Sequence, residues 1–261
     1  MDYGFIPDIL EADHYVFGSQ ELSDNVLNFT GQWDKYLPAI ELQEKNMVET
    51  YNCVSFGTLN AVEILHKFLF GKEVNKSERY LGILSGTTES GNSPHKVAET
   101  LRKTGTIPEN ELPFSKDIDT WDKYYSPKPM TSKYIEIGEK WLSKYDFGHE
   151  WVFANDYSGN RQELLKQALK RSPLGISVYA WKKKGDIYVK DDQLDNHWCC
   201  LYGYVDGEYF KVFDHYDNTF KKLDWDYRFG FCKRYSLGLN LEKQMNFFLR
   251  MWRSIINFLI R

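Results

Sequence analysis

The hydrophobic period of the chain changes once, close to Pro173. Before that point apolar residues recur at helical spacing, most clearly from Asn52 to a stop at Gly71, and two more helices are predicted over 93–104 and 161–170. After it, short β-branched and aromatic runs alternate with polar residues and are separated by Gly, Asp and Asn. This order predicts an α+β fold in which a helical lobe and an antiparallel β lobe face each other across a cleft.

Charge and composition argue against several classes of protein. The 261 residues include 33 Lys+Arg and 37 Asp+Glu, a net charge of -4, which argues against nucleic acid as a partner. The 4 cysteines are spaced neither as a disulfide framework nor as a zinc site, and no basic and apolar signal segment opens the sequence. We therefore expect a globular protein of the cytoplasm, unless a virion or a lysis system delivers it.

Cys53 stands at the amino end of the strongest predicted helix. Free backbone amides and the helix dipole stabilise a thiolate there, and with a histidine cation they can lower a thiol pKa from about 8.5 to about 3.5. A buried structural cysteine explains the position equally well until the rest of the chain is considered. Cys53 is thus a candidate nucleophile.

His197 and Asp214 supply the groups that would activate such a nucleophile. His197 opens an apolar run that, with the next run, predicts a hairpin turning at Asp206-Gly207. Asp214 lies on the returning strand, where its carboxylate could orient the imidazole as the third member of a triad does. A strand-end histidine and a solvated turn carboxylate are the plainer alternatives. We predict Cys53, His197 and Asp214 as catalytic residues.

The order and the 144-residue separation of Cys53 and His197 resemble those of the papain-like cysteine peptidases. The run beginning at Cys53 keeps the Phe at plus three (Phe56) and the Glu at plus ten (Glu63) of that family's nucleophile motif. The resemblance covers roughly residues 33–237. Three further segments resemble family motifs in the same order: GNSPHKVAETLRKTGTIPENELPF, ELLKQALKRSPLGISVYAW and NHWCCLYGYVDGEYFKVF.

This resemblance implies a two-lobed papain-like fold and a thiol peptidase that hydrolyses peptide bonds through an acyl-enzyme intermediate. It implies a protein or peptide substrate and no metal or organic cofactor. Asp214 stands where the family usually has Asn, so the chain is a divergent member by this criterion. The implied organisation is an N-terminal extension (1–32), a catalytic domain (33–238) with a helical lobe (about 41–125) and a β lobe (about 150–238), and a C-terminal helix (239–261).

The resemblance also proposes residues that would bind substrate. The family's oxyanion-hole Gln lies six residues before the nucleophile, but Met47 occupies that position and cannot donate a hydrogen bond. Gln43 is the nearest candidate, provided that part of 44–52 loops out. Trp198 is a candidate cleft aromatic, with core packing as its alternative. The family's paired glycines correspond here to Gly91, Asn92 and Ser93.

The last residues form a predicted amphipathic helix with a basic polar edge, over 240–261. Arginines within it argue against a transmembrane span. Docking on the protein's own body, contact with a membrane surface and contact with a partner protein all remain open.

Two alternatives accompany the peptidase interpretation. A peptidoglycan amidase or acyltransferase of the same fold is one. A pseudoenzyme that binds peptides without turnover is another, and Met47 and the segment Gly91-Asn92-Ser93 are its best support. A metal cluster of His197, Cys199, Cys200 and His215 is not predicted, because structural zinc sites use two separated ligand pairs.

Overall fold

The computed structural model describes residues 3–11, 14, 16–17, 25–155, 157–216, 219–241 and 245. Its helices are α1 Cys53–Phe70, α2 Glu78–Ser85, α3 Pro94–Thr104, α4 Trp121–Tyr125, α5 Ser132–Lys144 and α6 Arg161–Leu169, with short 3₁₀ turns at Asp34–Tyr36 and Glu109–Glu111. Its strands are β1 Glu44–Lys45, β2 Val48–Glu49, β3 Tyr145–Phe153, β4 Leu174–Val178, β5 Lys182–Lys184, β6 Ile187–Val189, β7 His197–Val205, β8 Tyr209–Phe213, β9 Phe220–Asp224 and β10 Cys232–Leu239.

Helix α1 is the central helix of the fold, and it confirms the first predicted helix. It ends at Gly71, whose left-handed backbone lets its N–H bond to the carbonyl of Lys67. Its residues are buried as far as His66. A Cβ atom at Gly57 would lie 2.8 Å from the indole of Trp198, so glycine allows α1 to lie directly against β7. The nucleophile candidate and the first residues of β7 are therefore close together.

The other two predicted helices are also confirmed. The hydroxyl of Ser93 accepts the N–H of Lys96, Pro94 occupies the first turn and Gly105 ends α3. Helix α6 begins after Asn160, whose side chain accepts an N–H in its first turn. These caps fix the ends of the helices that flank the cleft.

Within the described residues the main sheet has eight strands in the order β3-β10-β4-β7-β8-β9-β6-β5. Its neighbours pair antiparallel, except that β6 runs parallel to β9. The predicted hairpin is present, since β7 and β8 pair antiparallel around a turn at Asp206 and Gly207. The predicted α+β class is confirmed.

The largest apolar cluster lies between α1 and the sheet, and smaller clusters form around Phe114 and around Ile107. In the described part of the chain, no helix is long and apolar enough to cross a membrane. The predicted amphipathic helix over 240–261 lies outside the described residues, apart from 240–241 and 245, and β10 continues as far as Leu239.

Candidate active site

Cys53 is the first residue of α1 and is fully buried. Helix α1 packs directly against β7 at Trp198 and Cys199, so Cys53 lies beside the start of that strand. Burial raises the pKa of the Cys53 thiol well above its ordinary value, and the negative charges of Glu49 and Asp214 raise it further. In this conformation the thiol is neutral, whereas a lowered pKa was expected from its place at the helix end.

His197 and Asp214 meet as the hairpin predicts. His197 is the first residue of β7 and Asp214 directly follows β8. The imidazole Nε2 lies 2.7 Å from Oδ1 of the carboxylate, and both side chains are fully buried. The imidazole Nδ1 has no hydrogen-bond partner among the described residues. His197 is therefore oriented by Asp214 but does not hydrogen-bond Cys53 in this conformation.

Lys221 completes the surroundings of Asp214. Its Nζ lies 2.6 Å from the second carboxylate oxygen, Oδ2. Burial by itself raises the pKa of Asp214, but the charge and hydrogen bond of His197, with further charge from His215 and Lys221, hold this pKa below its usual range. Asp214 is consequently a carboxylate, the form that accepts an imidazole N–H.

His215 lies beside this pair. Its ring is fully buried, with ring centroids 5.0 Å from Phe56 and 4.9 Å from His197, and burial lowers the pKa of His215 to about 3. Ligand atoms of His197, Asp214 and His215 lie within 4.8 Å of one another. However, the two oxygens of Asp214 already bond His197 and Lys221, so a metal ion here would have to displace a lysine.

Gln43 reaches the site because the chain between it and Cys53 loops out. Strands β1 and β2 form a small hairpin that turns at Asn46 and Met47, whose φ angles are 55° and 64°. Met47 is 98% exposed at the tip, while Gln43 is buried. The Gln43 Nε2 donates to the hydroxyl of Tyr216 at 2.8 Å. The looping that this candidate required is thus present.

Glu49 is a cleft residue that the sequence analysis did not identify. Its carboxylate accepts hydrogen bonds from Gln43 Nε2, from the Tyr51 backbone N–H at 2.7 Å and from the Tyr216 hydroxyl. It brings a negative charge close to Cys53. No pattern in the sequence marks it, because its position depends on a hairpin whose turn residues are unusual.

Residues 3–7, hereafter the N-terminal segment, run through the cleft. Asn92 donates its backbone N–H to the Gly4 carbonyl at 3.0 Å, and Ile6 donates its N–H to the Asn92 carbonyl at 3.0 Å. This pairing forms a parallel β-bridge. Asn92, predicted to bind the backbone of an extended substrate, here binds the backbone of the chain itself.

Tyr3 extends the same contact to the candidate catalytic residues. Its N–H donates to the carbonyl of Asn196 at 3.1 Å, and its own carbonyl accepts Gln43 Nε2 at 3.2 Å. The Tyr3 ring packs against His197 and Tyr216, with centroids 5.8 Å and 5.2 Å apart. The N-terminal segment therefore covers the candidate base and bonds the candidate oxyanion donor.

Of the remaining predicted substrate-binding residues, Gly91 and Trp198 contact the N-terminal segment. A Cβ atom at Gly91 would lie 1.9 Å from the Gly4 carbonyl oxygen, so this contact requires glycine. Phe5 stacks on the buried indole of Trp198 at 5.7 Å. Ser93 caps α3.

Comparison with solved structures shows which architecture this is. Xylellain, a cysteine protease from Xylella fastidiosa, matches with a TM-score of 0.60 at 16% identity, covering 91% of this chain and 95% of that one. The chain has the papain-like fold. The ragweed cysteine protease Amb a 11, in its proform, matches with a TM-score of 0.57 at 16% identity, covering 84% of this chain and 67% of that one. The Carica candamarcensis protease CMS1MS2, in complex with E-64, gives 0.58 at 14% identity, covering 78% and 96%.

The fold agrees with the resemblance found from the residue pattern. No protein-family model and no curated protein matches the chain by sequence. Similarity at this level of identity shows the fold, and the chemistry depends on the side chains of this chain.

Proposed function

We propose that this protein is a thiol peptidase that hydrolyses peptide bonds with Cys53 as nucleophile, His197 as proton carrier and Asp214 as the residue that orients the imidazole. The observation that supports this best is the 2.7 Å contact between His197 Nε2 and Asp214, which is fully buried. This pair lies next to a cysteine at the start of α1, in a papain-like fold. Because Asp214 holds Nε2 of His197, the other ring nitrogen, Nδ1, is available to exchange a proton with the Cys53 thiol.

The proposed reaction uses these groups in turn. With the cleft open, Cys53 gives its proton to His197 and the thiolate attacks the substrate carbonyl. His197 then protonates the departing amine, and an acyl-enzyme remains. A water molecule, deprotonated by His197, attacks this thioester and releases the acid and the free thiol. Gln43 Nε2 and the backbone N–H of Cys53 would stabilise the oxyanion in both steps.

The contacts of the N-terminal segment support an extended peptide as the substrate class. Backbone groups of Asn92 and Asn196 and the side chain of Gln43 all bond main-chain atoms of residues 3–6. Groups that bond a main chain accept many sequences, and side-chain pockets then select among them. A cavity of about 770 Å³ adjoins this contact, lined on one side by Tyr51 and Met47 and on the other by Trp181 and Lys221.

We further propose that the N-terminal segment keeps the site closed. With it in place Cys53 and His197 are completely buried, and Gln43 bonds Tyr3 and Glu49 instead of a substrate. Because burial raises the pKa of the thiol, the closed form holds Cys53 as a weak nucleophile. If the N-terminal segment moved out of the cleft, the Cys53 thiol would be exposed and Gln43 would be released from its bond to Tyr3.

The test is hydrolysis of a fluorogenic peptide library by the full chain and by Cys53→Ala, His197→Ala and Gly4→Ala variants. The proposal expects turnover that Cys53→Ala abolishes and His197→Ala reduces by about 10³-fold or more. Saturable binding of peptides without turnover in any of the chains would instead identify a peptide-binding pseudoenzyme.

A further inference from the structure

Three carboxylates meet in the helical part of the fold. Glu41 lies shortly before β1, Glu78 is the first residue of α2 and Glu109 opens a 3₁₀ turn. One carboxylate oxygen from each lies within 4.8 Å of the others. Three segments that are distant in sequence thus bring three carboxylates close together. Their negative charges repel each other unless a cation or protons neutralise them.

The burial of Glu78 makes this arrangement energetically unfavourable when no cation is bound. Its side chain is only 3% exposed, and within the described ranges its carboxylate is approached by its own backbone N–H but forms no ion pair with a lysine or arginine. The Glu109 oxygen Oε2 is buried without a hydrogen-bond partner. Because a buried carboxylate lacking a partner is strongly destabilising, these oxygens require a cation or protons.

Lys45 and Arg79 lie close enough to Glu109 for their charges to interact with it, but in the described part of the chain neither forms an ion pair with the cluster, and Arg79 donates to backbone carbonyls instead. Lys76 acts on Glu63, which also accepts the Lys76 backbone N–H at 2.7 Å, and Lys45 extends over the ring of Phe114 at 5.5 Å. Glu41 accepts one neutral donor, the Asn75 amide, at 2.7 Å.

The pKa values of two of these carboxyl groups are raised, as their burial and closeness lead one to expect. Burial, together with the negative charge of Glu41, raises the pKa of Glu109 to about 7. Burial, together with Glu41, Glu63 and Glu109, raises the pKa of Glu78. Burial and mutual repulsion therefore disfavour three charged carboxylates unless a cation or protons neutralise them.

We propose that Glu41, Glu78 and Glu109 form a site for a divalent cation, with Ca²⁺ as its preferred occupant. Carboxylate oxygens are the ligands that hard cations prefer, and Ca–O bonds of about 2.3–2.6 Å span oxygens up to about 5 Å apart. All-oxygen ligands disfavour zinc and copper, which favour nitrogen and sulfur. The ion would join the segment before β1 to α2 and to the turn at Glu109, and so stabilise the folded chain.

Binding is measured on the full chain after treatment with a chelator and dialysis, by calorimetric titration with CaCl₂ at pH 7.5 and by terbium luminescence. Tyr124 lies close enough to Glu78 and Glu109 to sense their charges, so it can sensitise a bound lanthanide. We expect one saturable site, a melting temperature that rises with CaCl₂, and weaker binding of Mg²⁺.

Variants locate the site and guard against misfolding. Glu41→Gln should weaken Ca²⁺ binding by about tenfold or more, while Glu136→Gln, which neutralises an exposed glutamate on α5, should bind as the wild type does. Glu41→Lys places a fixed ammonium among the remaining carboxylates. It should abolish the response to Ca²⁺ and melt above the chelated wild type.

Three results would overturn the proposal. They are the absence of saturable Ca²⁺ and Tb³⁺ binding in the wild type, equal affinity in the Glu41→Gln and Glu136→Gln variants, and tighter binding of Mg²⁺ than of Ca²⁺. The first result, combined with a wild type that gains stability as the pH falls below 7, would show that protons neutralise the cluster. None of these results depends on peptidase activity, so the two proposals succeed or fail separately.

Discussion

Gln43 donates a hydrogen bond from Nε2 to the backbone carbonyl oxygen of Tyr3, at 3.2 Å. The amide that the proposed reaction needs for an oxyanion is therefore bonded to a carbonyl of the protein's own chain. The same Tyr3 residue donates its N–H to Asn196, the neighbour of His197. The contact shows how a peptide backbone fits this cleft, and it also shows what must move before another peptide can enter.

Gly4→Ala is expected to open the cleft. Gly4 has φ +98°, and a Cβ atom there would lie 2.2 Å from the carbonyl oxygen of Tyr51. Such strain costs about 1–3 kcal/mol, so alkylation of Cys53 at pH 8.5 should be about tenfold faster or more. Ile9→Ala, at a position 84% exposed, is the matched control and should not change the rate. Equal rates in both variants would show that the N-terminal segment does not limit access to Cys53.

Glu49→Gln tests the unexpected carboxylate in the cleft. Removing its charge lowers the pKa of the Cys53 thiol, because Glu49 is one of the charges that raise it. The midpoint of Cys53 alkylation should move down by about one pH unit. Glu44 lies directly opposite Glu49 in the β1–β2 pairing, and Glu44→Gln should leave the midpoint in place. A shift of the same size in both variants would assign the effect to net charge.

Asp214→Ala should destabilise the protein by about 3–5 kcal/mol, measured by urea unfolding at pH 7, because it deprives buried Lys221 and His197 of their carboxylate. The folded state lowers the pKa of Asp214, so its stabilisation is present above pH 3.8 and declines as the pH falls further. Asp146→Ala, on the exposed side of β3, should cost less than about 0.5 kcal/mol. A loss for Asp214→Ala no larger than this would contradict the buried pairing.

His215→Phe should remove part of the acid sensitivity of the fold. The folded-state pKa of His215 is lowered to about 3 from 6.5, so the unfolded chain binds the proton more readily and stability declines as the pH falls below 6.5. The variant should exceed the wild type by about 2–3 kcal/mol at pH 4.5 and differ from it by about 1 kcal/mol or less at pH 8. Guanidinium unfolding at both pH values measures this. Parallel changes with pH would show that His215 does not titrate with unfolding.

Strong local signals made several elements predictable. Helix α1 follows from an apolar helical pattern with Gly71 as its stop, and α3 follows from its Ser93 cap and Pro94. The meeting of His197 with Asp214 follows from a short turn of three residues, 206–208, between alternating strands. In each case a few neighbouring residues determine the structure, so the sequence contains the information locally.

The unpredicted features depend on distant contacts or unusual local geometry. The β1–β2 hairpin turns through two residues with positive φ, and Met47 is not a residue that signals such a turn. The N-terminal segment reaches the cleft through main-chain bonds to Asn92, which no side-chain pattern reveals. Lys221 had a weaker signal, since alternation along β9 places it on the buried side with Leu223.

Activation of Cys53 by His197 can be measured through the pH dependence of Cys53 alkylation. Iodoacetamide labelling from pH 4 to 9, with sites assigned by mass spectrometry, is compared in Gly4→Ala and in Gly4→Ala combined with His197→Ala, with buried Cys232 as the internal reference. If His197 activates Cys53, Cys53 should react at pH 6 about tenfold faster than Cys232 or more, and this advantage should be lost without His197. Labelling of Cys53 no faster than Cys232, or unchanged by His197→Ala, would show that His197 does not activate Cys53.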